Sequence, residues 1–234
     1  MSHTITLIVS LPKIVFWFYT ESLNNWRKAD NQCNGMSAFA LGTDIKSFRI
    51  TTTFRLTQKS ANLTGIFYSS NFHSVKQEYI DFNGISSKYF PHDGGVLYKF
   101  ISGFVDQNYN ERSLNFIGEI IHTLEQHRPE SSMAIISPFR ETVKKLQSEF
   151  QTDKRVLKDL TIETIDRIQG MTVDYAILYL PAGGSSFALD ERRFNVATSR
   201  SLSTTLIITD VRLERLAKFR GKVRSFIMAS EQID

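Results

Sequence analysis

Short apolar runs alternate with helix-forming stretches from residue 95 onward, and this alternation constrains the fold more than any other feature of the sequence. The runs cover residues 95–104, 132–138, 160–165, 175–181 and 203–210. Strands that alternate with helices of about ten or more residues are typical of a mostly parallel sheet with helices on its faces. We therefore expect an α/β fold over the C-terminal two-thirds of the chain.

Two stretches between these runs carry apolar residues at helical spacing. They are Leu114, Ile117, Ile121 and Leu124 within residues 111–127, and Val143, Leu146 and Phe150 within residues 139–150. Side chains three or four residues apart share one face of an α-helix, so each stripe predicts a helix that packs on the sheet. Residues 190–198 predict a further helix, in which Phe194 and Ala197 point toward the sheet.

The region before residue 95 has a less regular pattern. Residues 5–19 form the most apolar segment, but a Pro-Lys pair interrupts it, and it is shorter than the roughly 20 residues that span a bilayer. We expect one or two buried strands there, and no membrane partner. We assign no fold to residues 1–48 and expect this segment to pack on a domain of residues 49–234. Within that domain, we expect residues 69–95 to form a connection or an insertion.

Composition says more about the compartment than about the function. Cys33 is the only cysteine, which excludes an intrachain disulfide and favours a reducing compartment such as the cytoplasm. The chain has 28 Lys and Arg against 24 Asp and Glu, a formal net charge of +4. This excess suits an anionic partner such as nucleic acid without requiring one.

Common nucleotide-binding and metal-binding signatures are absent from the sequence. The only Gly-Lys pair, Gly221-Lys222, precedes a valine and has no glycine five residues earlier, so there is no P-loop of the form G-x-x-x-x-G-K-[ST]. The chain therefore has no phosphate-cradling loop of its own. The five histidines show no spacing typical of a metal site, and we expect no metal bound by this chain alone.

Polar segments follow the predicted strands, at the positions where ligands of parallel sheets usually bind. These segments are residues 137–140, 166–172 and 190–200, and we expect them to share the carboxyl edge of the sheet. In the second segment, Gly170 can adopt a positive φ, and Gln169 offers both a donor and an acceptor. The pattern is compatible with a ligand site and equally with solvated loops.

Residues 190–200 add three guanidiniums to this set. Each guanidinium is a permanent cation whose fork of N–H groups matches phosphate oxygens. Arg200 is placed to reach across a cleft just past the predicted helix. We expect Arg192 and Arg193 to support the cleft or to pair with Asp190 and Glu191.

Three segments, taken in order, resemble a known family. "SMAIISPFRETVKKLQ" (132–147), "TIETIDRIQGMTVDYAILYL" (161–180) and "RRFNVATSRSLSTTLIITD" (192–210) resemble motifs IV, V and VI of superfamily 1 helicases, in the style of the 5′-to-3′ branch. The third match is the most specific, with two basic residues, an apolar residue, Asn-Val-Ala, two variable positions and Arg. "TTTFRLTQKSANLTGIFY" (51–68) is similar, more weakly, to a family segment with an aromatic residue, an arginine and a later Phe-Tyr pair.

The resemblance implies the second RecA-like domain of a helicase motor, related to the P-loop NTPases but without its own P-loop. In that family, ATP and Mg²⁺ bind between two RecA-like domains, and the second domain supplies arginines that contact the γ-phosphate. Arg55 and Arg200 match these arginines by position. Gln169 and Gly170 match the turn that couples the nucleotide cleft to the nucleic-acid groove, and Arg193 is expected on the nucleotide side with them.

The resemblance also implies contacts with single-stranded DNA or RNA. Ser137 and Thr164 match positions that usually contact the nucleic-acid backbone, and Arg140 is expected beside them. The sequence departs from the family at Thr172, where many relatives carry a glutamate. It also lacks the P-loop, the Asp-Glu pair and the Gly-Asp-x-x-Gln segment of the first RecA-like domain.

Three functional interpretations follow from these observations. The first is the C-terminal motor domain of an ATP-dependent helicase, inactive as an ATPase without an upstream helicase domain that carries the P-loop. The second is a non-catalytic module that binds nucleic acid or a protein partner on a helicase-like fold, because fold resemblance alone does not establish activity. The third is a generic α/β domain whose arginines form only surface ion pairs.

Overall fold

The computed structural model describes the chain in two compact units, Met1–Ile50 and Thr51–Asp234. In the first unit it describes two strands, β1 (Ile8–Ser10) and β2 (Lys13–Val15), which pair antiparallel with Ser10 opposite Lys13. In the second unit it describes residues 52–68, 72–76, 82, 85, 88–103, 108–151, 157, 159–182, 185–216 and 219–233. The strands predicted near the N-terminus are therefore present, whereas their burial and the rest of residues 1–48 lie outside the described residues.

A six-stranded parallel sheet forms the centre of the second unit. Its strands are β5 (Gly95–Phe100), β6 (Ser132–Ser137), β7 (Asp159–Thr164), β8 (Val173–Leu180), β9 (Ser201–Thr209) and β10 (Glu231–Gln232). They lie in the order β10-β5-β9-β8-β6-β7, and every neighbouring pair is parallel. Two short strands, β3 (Thr52–Thr53) and β4 (His73–Ser74), pair parallel with each other.

Helices cover both faces of this sheet. They are α1 (Gln58–Tyr68), α2 (Glu111–His127), α3 (Arg140–Phe150), α4 (Ser185–Ala188), α5 (Glu191–Thr198) and α6 (Gly221–Ala229), with a 3₁₀ turn at Leu213–Arg215. Helices α2 and α3 contribute to the core on one face, and α1, α5 and α6 contribute to the core on the other. The predicted α/β, RecA-like architecture of a mostly parallel sheet flanked by helices is confirmed. No helix in the described ranges is long and apolar enough to cross a bilayer.

The two predicted helical stripes and the helix at residues 190–198 are confirmed. Every residue of both stripes is buried, and Phe194 and Ala197 of α5 are fully buried against the sheet. Side-chain caps start two of these helices: the Asn110 side chain accepts from the N–H of Arg112, and the Asp190 side chain accepts from the N–H of Arg193. The apolar periodicity and the caps together explain where α2 and α5 form.

The polar segments share the carboxyl edge of the sheet only in part. Asp166, two residues after β7, lies 3.7 Å from Arg193, whereas the last residues of two segments, Thr172 and Arg200, lie at the amino edge. At the carboxyl ends of β6 and β7, Ser137 lies opposite Thr164. At the amino ends of β8 and β9, Val173 lies opposite Ser201, directly after Thr172 and Arg200. Helix α5 returns the chain from the end of β8 to the start of β9, because parallel neighbours require a crossover. Residues that follow the crossover therefore lie at the amino edge.

The described part of residues 69–95 contributes to the core. Phe82 and Phe90 pack on each other, with 5.4 Å between ring centroids, and Phe90 packs on Tyr175 at 5.1 Å. The remaining residues of this segment lie outside the described ranges, so its role as a connection or an insertion stays a prediction.

Candidate functional site

Arg200 occupies the junction between α5 and β9 at the amino edge of the sheet. Its carbonyl oxygen accepts from the N–H of Val173 at 3.1 Å, which holds the backbone against the start of β8. Its side chain is only 8% exposed. One guanidinium nitrogen, Nη2, donates to the Ser199 hydroxyl at 2.8 Å, whereas Nε is buried and has no hydrogen-bond partner in the described ranges. A buried cation therefore keeps an unused donor.

Arg55 reaches the same edge from the segment between β3 and α1. Its N–H donates to the Thr53 hydroxyl at 3.2 Å, and its Nη1 donates to the Thr172 hydroxyl at 3.4 Å. Its Nε is buried and, within the part of the chain that the structure describes, lacks a hydrogen-bond partner. The fold thus brings together Arg55, Thr172 and Arg200 from three separate segments.

The Arg55 guanidinium lies close enough to Arg200 to affect its proton affinity. Burial and, to a smaller extent, the charge of Arg55 lower the pKa of Arg200 to about 10, although Tyr68 opposes the shift. Burial likewise lowers the pKa of Arg55, and Tyr68 again opposes it. Neither arginine forms an ion pair with a carboxylate among the described residues. Because buried charges are costly without a counter-charge, this pair is suited to bind an anion with several acceptor oxygens.

Tyr68 and Asn195 complete this amino-edge cluster, and sequence analysis did not single them out. The Asn195 Nδ2 donates to the Tyr68 hydroxyl oxygen at 2.9 Å, which joins the last residue of α1 to α5. The Asn195 Oδ1 is buried without a partner in the described part of the chain. Both residues belong to the motif-like segments 51–68 and 192–210, so the signal was present, but their pairing depends on how the two helices pack.

Gly94 lies directly before β5, where the chain passes close to β9 and to the start of α1. Its φ is +62°, and a Cβ at this position would overlap the Ser203 carbonyl oxygen of β9 and lie 2.8 Å from Cγ2 of Thr57. Thr57 in turn accepts, through its hydroxyl, from the N–H of Ser60 at the start of α1 at 3.2 Å. The absence of a side chain at Gly94 therefore allows β5, β9 and the start of α1 to approach one another.

Gln169 and Gly170 lie in the turn that leads to this edge. Gly170 has a φ of +90°, so this turn uses the positive φ that glycine can adopt. Gln169 is exposed. The turn begins at Thr164 on the carboxyl edge, where the N–H of Ile168 donates to the Thr164 carbonyl at 3.1 Å, and it ends at Thr172 beside Arg55. One segment thus links the two edges.

The residues predicted to contact nucleic acid lie at the carboxyl edge but differ in accessibility. Thr164 is half-buried, and Arg140 is exposed at the first position of α3. Ser137 is fully buried, and its hydroxyl donates to the Tyr179 carbonyl at 3.1 Å. The prediction for Ser137 does not fit this geometry, because its side chain is enclosed in the core and its proton is already donated.

Arg193 lies in a different environment from Arg55 and Arg200. Its guanidinium carbon is 4.0 Å from the centroid of the Phe187 ring, and its Nε is 3.7 Å from the Asp166 carboxylate. It lines a cavity of about 530 Å³ with Phe187, Leu189, Asp190, Glu191, Arg220 and Gly221. The structure therefore does not bring Arg193 to the amino-edge cluster. In the described ranges its guanidinium pairs with Asp166 and not with Asp190 or Glu191, so the predicted pairing is not seen, while its predicted support of the cleft stays a prediction.

Comparisons with known proteins bear on the fold and the family. A family profile described as AAA domain (AAA_12) matches residues 18–212, a span that starts within the segment left unassigned above and includes Arg55 and Arg200. The chain is similar to the C-terminal domain of a possible DNA helicase from Lactobacillus plantarum WCFS1, with 11% identity, a TM-score of 0.41, and coverage of 68% of this chain and 88% of that one. It is also similar to the Hef helicase domain of Pyrococcus furiosus, with 17% identity, a TM-score of 0.30, and coverage of 42% of this chain and 26% of that one.

Proposed function

Since the chain belongs to the AAA domain family, a helicase-like family of P-loop NTPases, we propose that it is the second RecA-like motor domain of an ATP-dependent nucleic-acid helicase. One observation carries this proposal. The side chains of Arg55, which is half-buried, and Arg200, which is buried, converge at one edge of the sheet, each with a buried, unused Nε donor and with no carboxylate partner in the described ranges. Such an arrangement is suited to bind an anion.

The residues present fit the terminal phosphates of ATP. Arg55 and Arg200 offer forked donors that match phosphate oxygens, and an arginine at this place stabilises the negative charge that develops during phosphoryl transfer. Ser199 and Thr172 each bond to one of these guanidiniums and keep it in position. ATP itself supplies the transferable phosphoryl group, and this chain supplies the cations around it.

The described residues of the amino-edge cluster offer no carboxylate to Mg²⁺. The described residues include no group of three or more His, Cys, Asp or Glu side chains that could hold a metal ion. Since Mg²⁺ prefers carboxylate and water oxygens, the second domain is expected to leave the metal to the domain that carries the P-loop. We therefore assign no step of the reaction to a metal held by this chain.

The carboxyl edge would bind single-stranded DNA or RNA. Thr164 and Arg140 are accessible there, and an exposed arginine can neutralise a backbone phosphate. The turn with Gln169 and Gly170 runs from this edge to Thr172 beside Arg55. A shift of the nucleic acid at one end of the turn would therefore change the position of Arg55 at the other.

The chain is expected to be inactive as an ATPase by itself, because its sequence has no P-loop. The test is nucleic-acid-stimulated ATP hydrolysis by the chain combined with the P-loop-bearing RecA-like domain of the same helicase. Arg55→Ala and Arg200→Ala should each lower the rate by two or more orders of magnitude, in line with the effect of arginines on phosphoryl transfer. Arg192→Ala is the matched control, since Arg192 is exposed on α5. Activity that survives Arg200→Ala would contradict the assignment.

A non-catalytic module that binds nucleic acid or a protein partner is the second candidate, and the net charge of +4 without a P-loop favours it. It predicts single-strand binding by the chain alone, with an affinity that falls steeply as salt rises. Strong binding combined with no rate effect of Arg55→Ala and Arg200→Ala would support this candidate over the motor domain.

A further inference from the structure

We propose that the Tyr68 hydroxyl is a third hydrogen-bond donor of the phosphate site, and that Asn195 is the residue that positions it. This inference rests on the proposed function, since the ligand is the phosphate that Arg55 and Arg200 bind. It adds a neutral, directional donor to two cations. The ligand class is a chain of phosphates with several free oxygens.

The hydrogen bond between Asn195 and Tyr68 leaves the phenolic proton available. The amide nitrogen of Asn195 donates to the Tyr68 oxygen at 2.9 Å. A phenol carries a single proton, which it can still donate while its oxygen accepts a bond. No hydrogen bond in the described ranges uses that proton. Because Tyr68 is 48% exposed, a ligand outside the domain can accept a hydrogen bond from its hydroxyl.

The last turn of α5 places this hydroxyl beside the Arg200 guanidinium. The N–H of Ser199 donates to the Asn195 carbonyl at 3.2 Å, so Asn195 and Ser199 lie one turn apart on the same side of the helix. The Ser199 hydroxyl accepts from Arg200 at 2.8 Å, while the Asn195 amide binds Tyr68. Two residues of one helical turn therefore hold a cation and a hydroxyl side by side. Tyr68 also influences the pKa of both Arg55 and Arg200, which places it near both.

Aromatic packing makes the arrangement rigid. The neighbours of the bonded pair, Phe67 and Phe194, pack with 6.1 Å between ring centroids, and both contact Phe226 of α6 at 5.3 Å. Helices α1 and α5 are thus joined by an apolar contact directly beside the hydrogen bond. A donor that is held in place before binding loses less entropy on binding than a mobile one.

The experiment is a titration of the whole chain with inorganic tripolyphosphate, followed by calorimetry. Tyr68→Phe should weaken binding about tenfold, as expected for one hydrogen bond to a charged acceptor. Asn195→Ala should weaken it about threefold, because the hydroxyl remains but is no longer aimed. The double variant should bind no more weakly than Tyr68→Phe, since both changes remove the same interaction. Tyr109→Phe is the matched control, because Tyr109 is partly exposed and precedes α2 on the other face of the sheet.

The outcomes separate this inference from the proposed function. If Arg55→Ala and Arg200→Ala weaken binding while Tyr68→Phe binds like the wild type, the phosphate site stands and the role of Tyr68 is overturned. Equal losses in Tyr68→Phe and Tyr109→Phe would overturn it too. If the effects of Tyr68→Phe and Asn195→Ala add fully, Asn195 does not act through Tyr68. If the arginine variants bind like the wild type, the phosphate site of the proposed function is itself wrong.

Discussion

The Arg55 guanidinium donates a hydrogen bond to the Thr172 hydroxyl, with 3.4 Å between Nη1 and Oγ1 across 117 positions of the sequence. The contact joins the segment after β3 to the turn before β8. Many relatives that the sequence resembles carry a glutamate at the position of Thr172. A hydroxyl here orients Arg55 without neutralising it, so both cations stay available for an anion.

Thr172→Val removes this contact while keeping the shape of the side chain. We expect the affinity for inorganic tripolyphosphate to fall about threefold, since Arg55 loses one modest hydrogen bond and gains freedom. Calorimetry of the whole chain measures it. Thr123→Val is the control, because the Thr123 hydroxyl donates only to the Glu119 carbonyl within α2 at 2.8 Å. An unchanged affinity in Thr172→Val would show that Arg55 is oriented by other contacts.

Asp210 makes the stability of the domain depend on pH. It is 4% exposed at the end of β9, and the hydroxyls of Ser113 and Tyr179 donate to its carboxylate. Burial raises the pKa of Asp210 from 3.8 to about 6, although hydrogen bonds from Ser113, Tyr179 and Asn110 oppose the shift. Between about pH 4 and pH 6, the Asp210 carboxyl therefore keeps its proton in the folded state but loses it in the unfolded chain. The free energy of unfolding should decrease as the pH rises from about 4 to about 6, by at most roughly 1.4 kcal/mol per pH unit from this group.

Urea unfolding at a series of pH values checks this dependence. Asp210→Asn cannot titrate at this position, so its unfolding free energy should change less steeply between pH 4 and pH 6 than that of the wild type. Asp159→Asn is the control, since Asp159 is exposed at the start of β7. Identical slopes in the wild type and Asp210→Asn would mean that Asp210 is already ionised in the folded domain at pH 4.

Gly94→Ala tests the close approach of β5 and β9. The new Cβ would overlap the Ser203 carbonyl at a residue with φ +62°, so we expect a loss of about 2 kcal/mol or more in the free energy of unfolding. Gly118→Ala in α2 is the control, and it should raise the free energy of unfolding. Its Cβ would lie 3.5 Å from the Phe150 ring, an ordinary contact, and alanine favours a helix over glycine by about 0.5–1 kcal/mol. Equal effects of the two changes on urea unfolding would contradict the tight packing at Gly94.

Arg140→Ala tests the carboxyl edge. If Arg140 neutralises one backbone phosphate, the variant should bind single-stranded DNA and RNA more weakly, and the slope of log affinity against log salt should fall by about one. Fluorescence anisotropy with labelled oligonucleotides of both kinds measures this. Lys144→Ala is the control, because Lys144 is an exposed cation of the same helix that already pairs with Glu141 at 2.9 Å. Equal losses in the two variants would mean that the binding depends only on net charge.

Local patterns in the sequence predicted the elements well. The stripe from Leu114 to Leu124 is the buried face of α2, and the run at residues 175–181 is most of β8. Such patterns depend on the geometry of a helix or strand itself, so they can be read along the chain. The resemblance likewise pointed to Arg55 and Arg200, which the structure brings to one cluster. It could not predict that Ser137 is enclosed or that Arg193 packs on Phe187.

By itself, the sequence determined the α/β architecture, because apolar runs and helical stripes must bury their faces against one another. It also determined that the chain carries Arg55 and Arg200 in helicase-like segments but has no P-loop. Only the tertiary structure decided which edge of the sheet each polar residue occupies, and that Asn195 meets Tyr68. Those contacts depend on strand order, on crossovers and on the packing of α1 against α5, all of which join segments that are far apart in the chain. Such contacts cannot be predicted from a local sequence pattern.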